Sequence, residues 1–178
     1  MAAIGWKNRR SQKGRRVPLC RLHAPQILRE LRARPRRLEE LFGLLHHEER
    51  FIRGRAALAI ARLSEVDPKR LSRSLERVRE GLGNESAYVR WNLAHALGQV
   101  GAAFPKRVAR YLPDLCSLVD DQSAIARSVA CASLARIGRE RPALVLQHFE
   151  SVKREIPPAL ARGLRSASRS RSKTPRSR

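Results

Sequence analysis

Three prolines in this chain, Pro68, Pro105 and Pro142, stand 37 residues apart. So do Arg53, Arg90 and Arg127. The same interval joins Leu38, Leu75 and Leu112; Leu41, Val78 and Leu115; Leu45, Leu82 and Val119; Ile60, Leu97 and Leu134; and Leu63, Val100 and Ile137. A period held at so many positions constrains the fold more than local propensity does. Each unit repeats one supersecondary shape that cannot bury its apolar stripe alone, so neighbours stack and share a continuous core.

Each unit reads as two helices. The first carries Leu75, Val78 and Leu82 at i, i+3 and i+7, one stripe of a helix. Pro68 and Pro105 suit a first turn, where the missing N–H has no partner anyway, and Asp67 suits the cap before Pro68. Pro113 predicts a kink or a late start in the third unit. The second helix is expected to begin after Ser86 and Ser123 and to end near Gly101 and Gly138. Small residues in its middle (Ala57, Ala94, Cys131; Ala61, Gly98, Ala135) allow close helix approach. The expected fold is all-α, a right-handed α–α superhelix of about three two-helix repeats, 35–67, 68–104 and 105–141. The stretch HAPQILRELRARP caps the front, and a partial repeat at 142–164 caps the back, with Phe149, Val152 and Ile156 continuing the register. Residues 1–22 and 165–178 read as flexible basic arms.

The charge supports that division. The net charge is +22, yet residues 1–37 carry twelve Lys/Arg against Glu30 alone, and residues 143–178 carry nine against two acids. The middle, with seventeen bases and thirteen acids, is ordinary. Like-charge blocks repel and stay extended until a polyanion neutralises them. The arm cations are Lys7, Arg9, Arg10, Lys13, Arg15 and Arg16 at the front, and Arg169, Arg171, Lys173, Arg176 and Arg178 at the back. Cys20, Cys116 and Cys131 form no CxxC pair, so reduced thiols are expected, with Cys131 in the core. No apolar run reaches the ~18 residues of a membrane span.

The stretch VRWNLAHALGQVG and its relatives FIRGRAALAIARLS and IARSVACASLARIG resemble the second helix of HEAT repeats, in the short bacterial form also seen in phycobilin lyases. The resemblance spans about residues 35–142. It implies that Arg53, Arg90 and Arg127 hydrogen-bond acids near the inter-helix turns as a structural ladder. The matching acid position holds His47, Asn84 and Asp121. It also implies binding to proteins or nucleic acids, and a fold alone does not choose between them.

Enzyme signatures of HEAT-like proteins find no match. The His-Glu pair of HEAT-type iron hydroxylases is replaced by Trp91 and Asn92, and the second helices hold no carboxylate for glycosylase chemistry. The cluster His46, His47, Glu48 and Glu49 reads as a solvated turn, so neither metal nor cofactor is expected.

Over 50–64, 87–101 and 124–138 the second helices contain seven arginines and no acid. Arg55, Arg62, Trp91, Asn92, His95, Gln99 and Arg136 are the candidate binding residues of a concave face. Two readings stay open for these arginines, a structural ladder with solvated neighbours or a groove for a polyanion. The function expected is non-catalytic binding of nucleic acid or another polyanion. An acidic protein partner is the alternative, and a chaperone-like lyase subunit for a tetrapyrrole is the third. A monomer is expected, with no membrane and no small-molecule substrate. Its place is the cytoplasm, with the nucleoid (in a bacterium) or the nucleus (in a eukaryote) as its nucleic-acid compartment, and an organellar transit role for residues 1–22 left open.

Overall fold

A computed structural model describes residues 17–151 and 155–171, with side chains to 165. The described residues form an all-α superhelix of stacked repeats. The leading helix is α1 (Ala24–Ala33). The second helices are α3 (Arg50–Val66), α6 (Ala87–Ala103) and α9 (Ala124–Glu140), each 17 residues long. They lie side by side: α6 packs between α3 and α9, α1 covers α3, and α11 (Pro158–Arg171) covers α9. All fifteen residues of the five apolar registers are buried.

The first limb of each repeat is not one helix. In the second unit it divides into α4 (Pro68–Leu71) and α5 (Leu75–Glu80), the latter running into a 3-10 turn. The break falls at Ser72, whose hydroxyl donates to the Lys69 carbonyl at 2.7 Å and so takes over a backbone acceptor. In the third unit α7 (Pro105–Val108) gives way to α8 (Leu112–Ser117), with Pro113 in the first turn of α8. The start at Leu112 matches the starts at Leu75 and Leu38 one and two periods earlier, so it is common to the repeats and the late start expected from Pro113 is not specific to it. The first unit has α2 (Leu38–Gly43), of the same length as α5 and α8, after a 3-10 turn over Pro35–Arg37. Beyond α9, α10 (Pro142–Ser151) buries Val145 and Phe149.

The helix starts agree with expectation and the stops do not. Asp67 accepts from the Arg70 N–H at 3.0 Å, and Ser123 accepts weakly from Ala126 at 3.4 Å. Ser86 occupies the cap position without a side-chain cap bond. Gly101 and Gly138 lie inside their helices, which continue to Ala103 and Glu140. The stop is the proline two residues on, which drives its predecessor (Asp67, Phe104) out of the helical region. The glycines serve packing instead. A Cβ on Gly98 would lie 2.6 Å from the Ser133 Cβ, and one on Gly101 would lie 2.5 Å from the Ile137 side chain.

The folded part also begins before residue 23. Leu19, in a 3-10 turn over Leu19–Arg21, is buried, and its N–H donates to Glu40 at 3.1 Å. At the other end α11 runs on through residues 165–171 to Arg171. Arm residues Lys7, Arg9, Arg10, Lys13, Arg15, Arg16, Lys173, Arg176 and Arg178 lie outside the described residues, as does Val152. Arg169 and Arg171 continue the backbone of α11.

Candidate binding faces

The three repeat arginines hold the turns that launch the second helices. Arg90 Nη1 donates to the carbonyls of Asn84 and Glu85 at 2.8 and 3.0 Å. Its Nε and Nη2 donate to both oxygens of Asp121, one repeat on, at 2.6 and 2.7 Å. Arg53 makes the same pair of turn bonds to His47 and Glu48, and Arg127 makes it to Asp121 and Gln122. Arg53 reaches the carboxylate of Glu85 rather than Asn84. Asn84 is occupied elsewhere: its amide donates to the Leu45 carbonyl at 3.3 Å and its oxygen accepts from Ser86. The Arg90 hydrogen bond, helped by the Ser123 N–H and opposed by burial, holds the Asp121 carboxyl below its ordinary value.

The exposed surface of the second helices differs from expectation at two points. Asn92 is buried, and its amide donates to the Tyr88 carbonyl one turn back at 2.8 Å, so it is a packing residue and not a surface one. The face is also not free of acid, because α3 extends through Glu65. Arg62 pairs with Glu65 at 3.0 Å, and Glu65 lies 3.0 Å from His95 Nε2, which lies 3.2 Å from the Gln99 amide. Partial burial pushes the Glu65 carboxyl up, but the bonds from Arg62 and His95 outweigh it and leave it below its ordinary value. Arg62, His95 and Gln99 therefore form one internal polar chain bridging α3 and α6.

Arg55 and Trp91 belong to an aromatic cluster. The Arg55 guanidinium sits 5.0 Å from the centre of the Phe51 ring, and Trp91 meets Tyr88 edge-on at 5.0 Å. Arg136 is half-buried on α9 and makes no ion pair among the described residues.

Three apolar residues missing from the sequence reading stand out here. Phe51, Tyr88 and Ile125 occupy one repeat position and are 69%, 43% and 60% exposed. Phe51, Gly54, Arg55, Leu58 and Tyr88 line a groove of about 560 Å³ between α3 and α6. The 37-residue period itself carried that signal, since a register that is apolar and begins each second helix need not face the core.

Cys116 and Cys131 are buried and Cys20 is half-buried, and no disulfide joins them. Burial raises the Cys131 thiol above its ordinary value. No helix among the described residues is long and apolar enough to cross a membrane.

No family model matches the chain, and no curated protein matches it. Among solved structures, the chain is similar to a designed armadillo repeat protein in complex with the peptide (KR)4, at a TM-score of 0.60 and 18% identity. The likeness covers 85% of this chain and 70% of that one. The chain is a helical-repeat solenoid. At this identity the likeness speaks for the fold alone, and the solenoid's surfaces must carry the functional reading.

Proposed function

We propose that this solenoid is a non-catalytic binding scaffold for a polyanion, with nucleic acid as the partner. The observation that carries the reading is the placement of charge, a net +11 over residues 1–37 and +7 over residues 143–178 around a nearly balanced body. Basic segments of this kind gain affinity by releasing counterions from phosphates, which makes binding steep in salt and poor in sequence preference. The HEAT-type assignment of the repeats is part of the same proposal and rests on the second-helix sequences. The compartment follows the partner, cytoplasm with nucleoid or nucleus. Filter binding of the full chain to DNA and RNA at 50 and 200 mM salt tests it. Strong retention at the lower salt and a fall of several decades in affinity at the higher one are expected. No retention at the lower salt would sink the reading.

A protein-binding scaffold is the second reading, and the exposed row Phe51, Tyr88 and Ile125 favours it. The designed solenoid that resembles this chain is in complex with a basic peptide. Here Arg50 and Arg55 line the groove, so charge favours an acidic peptide with apolar side chains. A partner recovered after nuclease treatment, and lost when Phe51 is replaced by Ser, would move the function to this reading.

A further inference from the structure

The folded body carries a second set of periodic cations. Arg32, Lys69 and Lys106 stand 37 residues apart, and so do Arg36, Arg73 and Arg110. All six are exposed. They lie where each second helix hands over to the next repeat, at the far end of a 17-residue helix from the Arg53–Arg90–Arg127 turns. At 1.5 Å per residue that separation is about 25 Å.

Five of the six line two adjoining grooves that share Arg73, and Lys106 lines a further groove of about 900 Å³ with Glu140 and Arg141. Arg32, Arg36, Lys69 and Arg73 line a single groove of about 690 Å³, and Arg73 and Arg110 line the next, of about 380 Å³. Their neighbours Arg70 and Arg107, also one period apart, bond back to the preceding repeat. Arg70 donates to the carbonyls of Leu31 and Pro35 at 3.0 and 2.8 Å, and Arg107 donates to the Ser72 hydroxyl at 2.8 Å. Those two stitch consecutive repeats together and leave the six outside.

Arg110 donates to the Tyr111 hydroxyl and lies over that ring, and the other five make no ion pair among the described residues. Among the described residues only Arg110 comes within ion-pair range of an acid, Glu76 at 3.9 Å, and Glu76 is already bonded to Arg79 at 2.7 Å. The other acids of these grooves are taken as well. Glu39 faces Arg77 at 3.5 Å, and Asp67 caps α4. On the second-helix face Arg53, Arg62 and Arg90 each hold a carboxylate. Arg50, Arg55 and Arg136 hold none among the described residues, but none of the three has a cation at the matching position of an adjacent second helix, so they form no continuous row. A row of like charges repels itself and gives the fold nothing, so its use lies in an external anion with repeating charge.

We propose that this inter-repeat edge, and not the second-helix face, is the surface of the folded body that contacts nucleic acid. Arg32, Arg36, Lys69, Arg73, Lys106 and Arg110 bind the phosphates of the backbone without reading bases. Stacked helices lie about 8–10 Å apart, so three repeats span roughly 20 Å, or about six base pairs of duplex at ~3.4 Å each. Guanidinium forks suit phosphate oxygens, and the lysines add point charges beside them. The assignment rests on the nucleic-acid reading above and moves its site.

The test compares three full-length chains: wild type, an edge variant (Arg36→Gln, Lys69→Gln, Arg73→Gln, Lys106→Gln) and a face variant of equal charge (Arg50→Gln, Arg55→Gln, Arg62→Gln, Arg136→Gln). Affinity for a 20-base-pair duplex DNA is measured across salt, and circular dichroism checks the fold of each chain. Each lost phosphate contact lowers the log–log salt slope by about 0.9, so the edge variant should lose roughly 3–4 from it and the face variant less than one. Equal losses in both, or a larger loss in the face variant, would overturn the edge assignment. An edge variant that binds like wild type would overturn it too, while leaving the function to the arms. Wild type that ignores DNA but binds phosphatidylserine vesicles, with that binding lost in the edge variant, would make the edge a lipid-binding surface and remove both proposals.

Discussion

The guanidinium of Arg90 grips both carboxylate oxygens of Asp121 in the following repeat, at 2.6 and 2.7 Å, with side chains only 16% and 6% exposed. Charged hydrogen bonds in such surroundings are worth about 1.5–3 kcal/mol, so Asp121→Ala should cost about 2–3 kcal/mol and lower the thermal midpoint by roughly 5–10 °C. Asn84 fills the same repeat position and holds the same turn through Ser86, so Asp121→Asn keeps the turn while removing the charge.

That pair also sets a pH dependence. The Arg90 hydrogen bond depresses the Asp121 carboxyl in the folded chain. Its stabilisation is therefore complete above the unfolded value of about 4 and is lost as pH falls through the lower folded value. Thermal melts should show wild type well above Asp121→Asn at pH 6, with the gap closing below about pH 4. A gap independent of pH would assign the difference to packing instead.

Arg37 anchors the chain's entry into the fold. It is 2% exposed and donates to Glu40 twice at 2.9 Å, to Glu30 at 2.7 Å and to the Val17 carbonyl at 2.8 Å. The guanidinium is buried while Glu30 and Glu40 stay 31% and 38% exposed and can be rehydrated, so losing its charged hydrogen bonds costs about 1.5–3 kcal/mol. Arg37→Ala should lose stability of that order and admit trypsin at Arg21 well before the sites on α3, α6 and α9 are cut, whereas in wild type Arg21 is cut no sooner than they are. Time-resolved digestion read by mass spectrometry measures both.

The repeat register was legible because it rests on burial at a fixed period, which one sequence displays in full. The stops of the second helices were not, since Gly101 and Gly138 match the pattern of helix-ending glycines while serving close approach to Ile137 and Leu164. Asn92 read as surface because its side chain is polar, and only the fold shows that the Tyr88 carbonyl satisfies it. The Arg37 cluster joins groups up to 20 residues apart and has no repeat counterpart, so no local or periodic signal announces it. The edge cations obey the same period as the core and could have been found by the same comparison.

Close approach gives a prediction with an unusual sign. Replacing a helical glycine by alanine ordinarily stabilises by about 1 kcal/mol. At Gly98 the new methyl would lie 2.6 Å from the Ser133 side chain and 2.8 Å from its Cα, so α6 and α9 must separate. Gly98→Ala should destabilise by about 1–3 kcal/mol in urea titration, as overpacked cores do. Gly43→Ala, with open space at its Cβ, should leave stability unchanged or raise it.

The exposed apolar row should be separable from stability. Phe51 and Ile125 are 69% and 60% exposed, so replacing both with Ser should change the unfolding free energy by less than about 0.5 kcal/mol. Surface behaviour should change more. The groove beside Phe51 and Tyr88 has Arg50 and Arg55 among its lining residues, a combination that suits an anionic apolar probe. Wild type should enhance the fluorescence of anilinonaphthalene sulfonate at neutral pH, and the Phe51→Ser, Ile125→Ser chain should lose most of that enhancement. If the enhancement survives while the melt is unchanged, the dye sits elsewhere and the row is not a binding surface. If the melt collapses, Phe51 and Ile125 contribute to the core despite their exposure, and the case for a protein partner on this face falls with them.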